Sequence, residues 1–591
     1  MTTTPTAVPA PASAAVPAPT PERRSRGLYV LLVVGLVLGL VSLGVTWVAN
    51  DPDSRVARAM ASGGSRLGAA EDGTITTWTA AFNPAIVGDQ MVLLQVRQIP
   101  TKLTYTLHGR SEPVANWQDE ASWKTIGLAE PDDGVARFTI ENPLGVAHEY
   151  RAVVNPGPGA LTTPVVTYAA PRMRQEDGLA TVYLDTNDGS KVDSKDASWE
   201  GRVSIQADEA GTCADVGPLL TKISGRGNST WDMEKTGLNV TLDKKASLCG
   251  LPKSKKWTLL GDYYDRSLIR QMVAMHLGQN MDGLAWTPHL VPVDLYVNRE
   301  YRGLYHLIER VDIAPDRVNI DSITNRNDKS KPPTDWNSPP AVTGGYLLEW
   351  DFRKESDHWV DVNTRGSVTI RQPQDEADGT GITQAQLSYI KRTLVEADNA
   401  ITAPTFADPA TGWRAWVDER SLVDYYLVEE FTKNADSNFN TSVFMYKPRD
   451  TTQGRAKFVM GPLWDFDTSM GDARFDGGQG DPTGWYLRDA NPLVASQTGE
   501  SWFNRINQDP QFQAAVAARW QELRPLFASL PDYIDEQAGI ISRGAGANFE
   551  RWDVTEQLED VQVVRGSWAA EVAGLKGWVI ARTAWMDSQF G

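Results

Sequence analysis

Apolar residues recur at every second position in short runs between residues 72 and 170. Residues 91–96, 103–107 and 136–140 alternate in this way, and turn clusters such as the Pro-Asp-Asp-Gly of 131–134 separate them. A period of two sends successive side chains to opposite faces, so these runs predict half-buried strands. About one hundred residues of this pattern predict an immunoglobulin- or fibronectin-like β-sandwich over 72–170, without the Cys-Trp-Cys spacing of a true immunoglobulin domain. Such a module either binds a glycan or protein partner or spaces the next domain from what precedes it.

From residue 179 to 591 the pattern predicts one larger α+β domain. Residues 223–231 read as a strand and a glycine-bearing turn, and 238–242 and 257–260 as further strands. A helix is expected from near Asp265: Leu268, Met272 and Met275 recur at helical spacing beside Ile269, Val273 and Leu277, and Asp265 or Ser267 suits the N-cap. Val291, Val293, Leu295 and Val297 alternate, residues 298–300 turn, and 301–308 return as a hairpin. After a proline-rich loop at 320–342, order resumes at 344–351, and 386–397 and 421–431 read as helices. Residues 443–446 and 458–460 predict a second hairpin around Pro448 and Gly454.

The N-terminal segments carry no such periodicity. Residues 1–26 form a Pro/Ala-rich tail that cannot build a core and reads as disordered. Residues 27–49 are 23 positions without a charge, enough for a transmembrane helix. Arg23, Arg24 and Arg26 before it, with Asp51 and Asp53 after it, predict a single-pass cell-membrane protein with a cytoplasmic N-terminus and an extracytoplasmic bulk. The rival reading is a signal peptide cleaved near Ala57-Arg58-Ala59, leaving a secreted protein. A net charge of −18 excludes a general nucleic-acid binder, which needs basic surface. Cys213 and Cys249 both follow the apolar segment, so a disulfide and two buried thiols both stay open.

The second predicted hairpin has chemistry at its ends. Asp436, Asn438 and Asn440 precede it, and Asp465 and Asp467 follow it. Kinase-type phosphoryl transfer needs a loop Asp to orient the hydroxyl, then an amide and a second Asp to hold Mg²⁺ against the nucleotide phosphates. A calcium-binding or merely solvated acidic loop is the alternative. A glycosidase pair suits Asp465 and Asp467 badly, since carboxylates two apart on an extended strand face opposite sides. The glycine turn at 225–227 and the lysines at 253–256 suit an anionic ligand, and Arg270 lies among apolar neighbours, where it either reaches a buried acid or a phosphate or makes a surface salt bridge.

Several motifs taken together resemble the CotH family of atypical, spore-coat-type protein kinases: RGNSTW at 226–231, KSKKW at 253–257, YDRSLIR at 264–270, YRGLY at 301–305, GGYLLE at 344–349, Asn434 to Asp436, and WDFDTSMG at 464–471. The resemblance implies a divergent two-lobed kinase-like domain over 179–591, using ATP with Mg²⁺ or Mn²⁺ on Ser or Thr of cell-envelope or coat proteins. By motif position Asp436 is the catalytic Asp, and Asn440 (or Asn438), Asp465 and Asp467 are the metal ligands. Arg226, Lys235, Lys256 and Arg270 become nucleotide-phosphate contacts, and Glu309 lies at the adenine junction. Two departures are visible. Asn440 follows Asp436 by four residues where the kinase pattern has five, and Asn239 and Thr241 stand where basic residues are expected. They keep a second function class open, a non-catalytic pseudokinase that binds glycan or protein in the envelope.

Overall fold

The computed structural model describes residues 64–69, 75–81, 92–98, 104–107, 110–113, 123–130, 135–141, 148–154, 161–162, 166–168, 174–175, 177–323, 335–354, 358–362, 366–374, 381–435, 437, 441–472, 480–488, 501–556 and 562–591. The tail at 1–26 and the apolar segment at 27–49 lie outside the described residues. Among the described residues no helix is long and apolar enough to cross a membrane. The chain divides into two compact units, Met1–Arg172 and Met173–Gly591.

The first unit is built of antiparallel sheets. Ile75–Ala81 lies between Gly64–Ala69 and Val135–Glu141. A second sheet runs in the order Val166–Tyr168, His148–Val154, Val92–Gln98, Lys124–Ala129, with Leu161–Thr162 beside His148–Val154. Thr104–Leu107 and Arg110–Pro113 make a separate hairpin. Val92 and Leu94 are buried while Leu93 and Gln95 are half-buried, the alternation expected from a period of two.

The second unit opens with a closed seven-stranded barrel. Its strands are β1 (Ala180–Thr186), β2 (Trp199–Gln206), β3 (Val216–Arg226), β4 (Gly237–Ala246), β5 (Ser254–Leu260), β6 (Leu290–Val297) and β7 (Glu300–Glu309). Neighbours pair in the order β1-β2-β3-β4-β5-β7-β6, and a parallel pairing of β1 with β6, Ala180 opposite Val293 to Leu184 opposite Val297, closes the ring. Val182, Leu184, Ile223, Val240, Trp257, Leu259, Leu295 and Leu307 belong to one buried cluster. The expected β6–β7 hairpin is present, and its turn residues Asn298 and Arg299 hold φ of 48° and 71°, as a two-residue turn matched to strand twist requires. Cys213 and Cys249 form a disulfide, which settles the alternative that the sequence leaves open.

Helix α1 (Arg270–Gln279) starts later than its periodicity suggests. Leu268 adopts a left-handed φ of 61°, so residues 265–269 are a turn. The Asp265 carboxylate caps the helix from outside, accepting the N–H of Ile269 at 2.9 Å and of Arg270 at 2.8 Å.

The rest of the unit is a five-stranded antiparallel sheet with helices. The strands β8 (Tyr346–Trp350), β9 (Trp359–Asp361), β10 (Ser367–Gln372), β11 (Val443–Lys447) and β12 (Val459–Met460) lie in the order β9-β10-β8-β11-β12. The helices are α2 (Gln384–Thr402), α3 (Glu419–Thr432), the short α4 (Trp502–Ile506), α5 (Pro510–Arg551) and α6 (Trp568–Phe590). Ile390, Leu427, Phe431, Met445, Phe466, Trp520 and Phe527 share one buried core cluster that joins these elements. The α+β class is as expected. Strand order establishes the barrel and the second sheet.

Candidate active site

A cleft of about 920 Å³ lies within the second unit, walled by the end of β3 and the turn after it, β4, β5, the loop from Gly261 to Tyr264, β8, β10, and the residues following β12. The turn at 225–230 closes tightly because of its glycines. A Cβ on Gly225 would meet the Trp231 ring at 2.0 Å, and Gly227 holds φ +114°.

The predicted second hairpin forms, with Met445 opposite Met460 and Tyr446 opposite Val459. Just beyond it, Asp465 and Asp467 line the cleft. Asp465 holds a left-handed φ of 69° and its carboxylate accepts the Ser442 hydroxyl at 2.9 Å. The flanks of the first acidic cluster pack here too. Asn434 donates its amide to the Asp465 carbonyl at 2.9 Å, and the Ala435 N–H donates to the Thr468 carbonyl at 3.0 Å. Asp436, Asn438 and Asn440 themselves lie outside the described residues, so the roles assigned to them stay expectations.

Of the predicted cations, three line the cleft and one does not. Arg226 sits 5.3 Å over the Trp464 ring. Burial lowers its pKa, opposed by the charges of Asp465, Asp467, Asp262 and Glu349, which places a guanidinium among the acidic residues of the site. Lys235 is buried, donates to the Leu304 carbonyl at 2.7 Å, and is lowered by burial to about 7. Lys256 pairs with Asp312 at 3.5 Å. Arg270 is not part of the lining. Its helix face turns it inward, where it pairs with Asp265, lies 3.3 Å from Asp472 and donates to the Ser469 carbonyl at 2.9 Å. Burial opposes its charge, but Asp472 and Asp265 outweigh that and raise its pKa. Glu309 is likewise outside the lining, fully buried, accepting the His289 N–H at 3.0 Å with Arg317 at 3.7 Å.

The cleft also holds residues to which sequence reasoning gave no role. Glu349, on β8, is paired with Arg371, and burial pushes its carboxyl up to about 7 against that pairing. Its signal is a lone acid inside a strand buried at every position. Asp262, paired with His306, and the exposed Arg310 line it as well. Asp472 is raised to about 7 by burial, with Arg270 opposing. Asn239, in place of an expected basic residue, accepts the Thr258 hydroxyl at 3.1 Å, so a neutral pair occupies that wall.

Among the described residues no group of three or more His, Cys, Asp or Glu is close enough to hold a metal. Asp465 and Asp467 are hard oxygen donors in one cleft. Mg²⁺ is ordinarily held by one or two carboxylates with phosphate and water completing the shell, so this donor set fits a Mg²⁺ shared with a polyphosphate. Residues 223–586, which include the turn, most of the cleft lining and both Asp465 and Asp467, match the family model described as CotH kinase protein. No curated protein matches the chain.

Proposed function

The chain belongs to the CotH kinase protein family, and on that footing we propose that it is a membrane-anchored, extracytoplasmic protein kinase moving the ATP γ-phosphate to Ser or Thr of envelope proteins. The observation that carries this reading is the meeting of Asp465, Asp467 and Arg226 in one cleft beside the glycine turn. Asp465 and Asp467 would hold Mg²⁺, which when bound neutralises the phosphate oxygens. Arg226 and Lys256 would orient the phosphates, a positioning role that supplies much of the rate in this chemistry. Asp436 would orient the acceptor hydroxyl and take its proton as the oxygen–phosphorus bond forms and ADP leaves. The uncharged segment at 27–49 behind three arginines supports the anchor and its orientation.

One observation favours a second reading. Asn239, accepting the Thr258 hydroxyl, puts a neutral group on the cleft wall where a basic one is expected, which suits a pseudokinase that binds a glycan or protein. A single experiment separates the two: purified chain with γ-labelled ATP, Mg²⁺ or Mn²⁺ and a generic protein acceptor, beside Asp436→Ala and Asp465→Ala variants that melt like the wild type. Label incorporated by the wild type and lost in both variants supports the kinase. No incorporation, together with no metal-dependent nucleotide shift in melting temperature, rejects it.

A further inference from the structure

Helix α3 ends in two adjacent buried acids, Glu429 and Glu430. Packing explains Glu430: it pairs with Arg582 at 2.9 Å and accepts the N–H groups of Tyr486 at 2.6 Å and Leu487 at 2.8 Å. Glu429 is different. Among the described residues it makes no ion pair; its two oxygens receive the Ser437 hydroxyl at 3.3 and 3.4 Å, and the Tyr425 phenol also bonds it. A carboxyl buried without a cation disfavours folding when charged, and burial accordingly pushes this one up to about 8. Stability alone gives no reason to keep it there.

Its partner supplies one. Ser437 lies in the segment between α3 and β11, and its N–H meets the Asn434 side-chain oxygen at 3.5 Å. Asn434 donates onward to the Asp465 carbonyl at 2.9 Å and accepts the Tyr486 hydroxyl on its own carbonyl at 2.8 Å. Glu429 is therefore the buried end of a chain running through Ser437 and Asn434 to the backbone of Asp465. We propose that Glu429 is a positioning residue, holding Ser437 and, through the Ser437–Asn434 contact, the Asn434 bond to the Asp465 backbone, and so the placement of Asp465 in the cleft. This rests on the phosphotransferase reading. Burial favours the protonated form of this carboxyl, which a glutamine amide matches in shape and hydrogen bonding, so Gln is the conservative replacement.

The test uses the full chain with Glu429→Ala, Glu429→Gln and Ser437→Ala, measuring kcat and KM for ATP and amide hydrogen exchange over residues 434–441. Glu429→Ala and Ser437→Ala should lose kcat by about 10- to 100-fold with the ATP KM within about twofold, as misplacement of a reacting group predicts. Glu429→Gln should stay within about threefold of the wild type. Exchange at 434–441 should quicken in the alanine variants and not in Glu429→Gln. Full kcat in either alanine variant, or a Glu429→Gln loss as deep as the alanine loss, overturns the proposal. If Glu429→Ala does not fold, Glu429→Gln and Ser437→Ala decide it. If the wild type transfers no phosphate, the kinase reading fails on its own, and unchanged exchange in the alanine variants then sinks the positioning role separately.

Discussion

Ser442 donates its hydroxyl to the Asp465 carboxylate at 2.9 Å, and both residues hold left-handed backbones, with φ of 60° and 69°. For residues other than glycine that conformation costs roughly 1–3 kcal/mol each and persists only where the surroundings impose it. The two strained positions face each other where the β11–β12 hairpin meets the acidic residues. Ser442→Ala removes a hydrogen bond to a charged group, worth about 1.5–3 kcal/mol. It should lower kcat/KM for phosphate transfer by about tenfold or more. Ser442→Gly relaxes the backbone and should show the same loss, which steady-state kinetics on the two variants will check. Asp465→Asn should abolish transfer.

Arg270 acts in folding rather than in the cleft. It is fully buried with Asp265 and Asp472. Arg270→Met leaves both carboxylates without their shared cation, and breaking a buried pair in this way costs about 3–5 kcal/mol. A large fall in melting temperature is expected, with nucleotide affinity of the folded fraction close to the wild type. A normal melting temperature with nucleotide binding lost would show a phosphate contact instead.

The Cys213–Cys249 bridge closes a loop with a sequence separation of 36. The chain-entropy relation gives about 4 kcal/mol for a loop of that size, as an upper value. Thermal melts with and without a reductant, alongside the double Cys→Ala variant, should show matching destabilisation. Identical melts would mean that the bridge adds nothing.

Asp294, on β6 next to Asp177, gives the barrel a pH dependence. Burial, then the charge of Asp177, raises its carboxyl to about 8 from an ordinary 3.8, while Tyr301 donates to it at 2.9 Å. Between these two values the folded chain keeps a proton that the unfolded chain has released, so this group's contribution to stability falls as pH rises through that window. Asp294→Asn should flatten the melting temperature between about pH 4 and pH 8. It should also raise it at the upper end. A wild-type profile unchanged by the substitution would contradict the assignment.

How legible each part was depends on the range of the interactions that fix it. The β6–β7 and β11–β12 hairpins were legible because two apolar runs and the turn between them are local. So was α2, whose apolar positions recur at helical spacing. The start of α1 was misplaced by five residues because the Asp265 side chain caps it from outside the helix, across the left-handed Leu268. Asp465 and Asp467 were readable from residue type and position after the hairpin. Glu349 was visible only as an acid in an apolar strand. Its pairing with Arg371 depends on β8 and β10 lying side by side.

The sequence by itself determined the α+β class, the strand-rich first unit, the hairpins and the acidic positions that mark the cleft, because residue type, short-range periodicity and turn chemistry carry that information. Only the tertiary structure decided that β1 closes a barrel by pairing in parallel with β6, more than one hundred residues later. It alone joined Cys213 to Cys249, set Arg270 against Asp265 and Asp472 so that it does not itself line the cleft, and set Glu429 against Ser437. Each of these depends on which face of an element meets which distant partner. Burial and charge settle that choice only once the whole chain has packed.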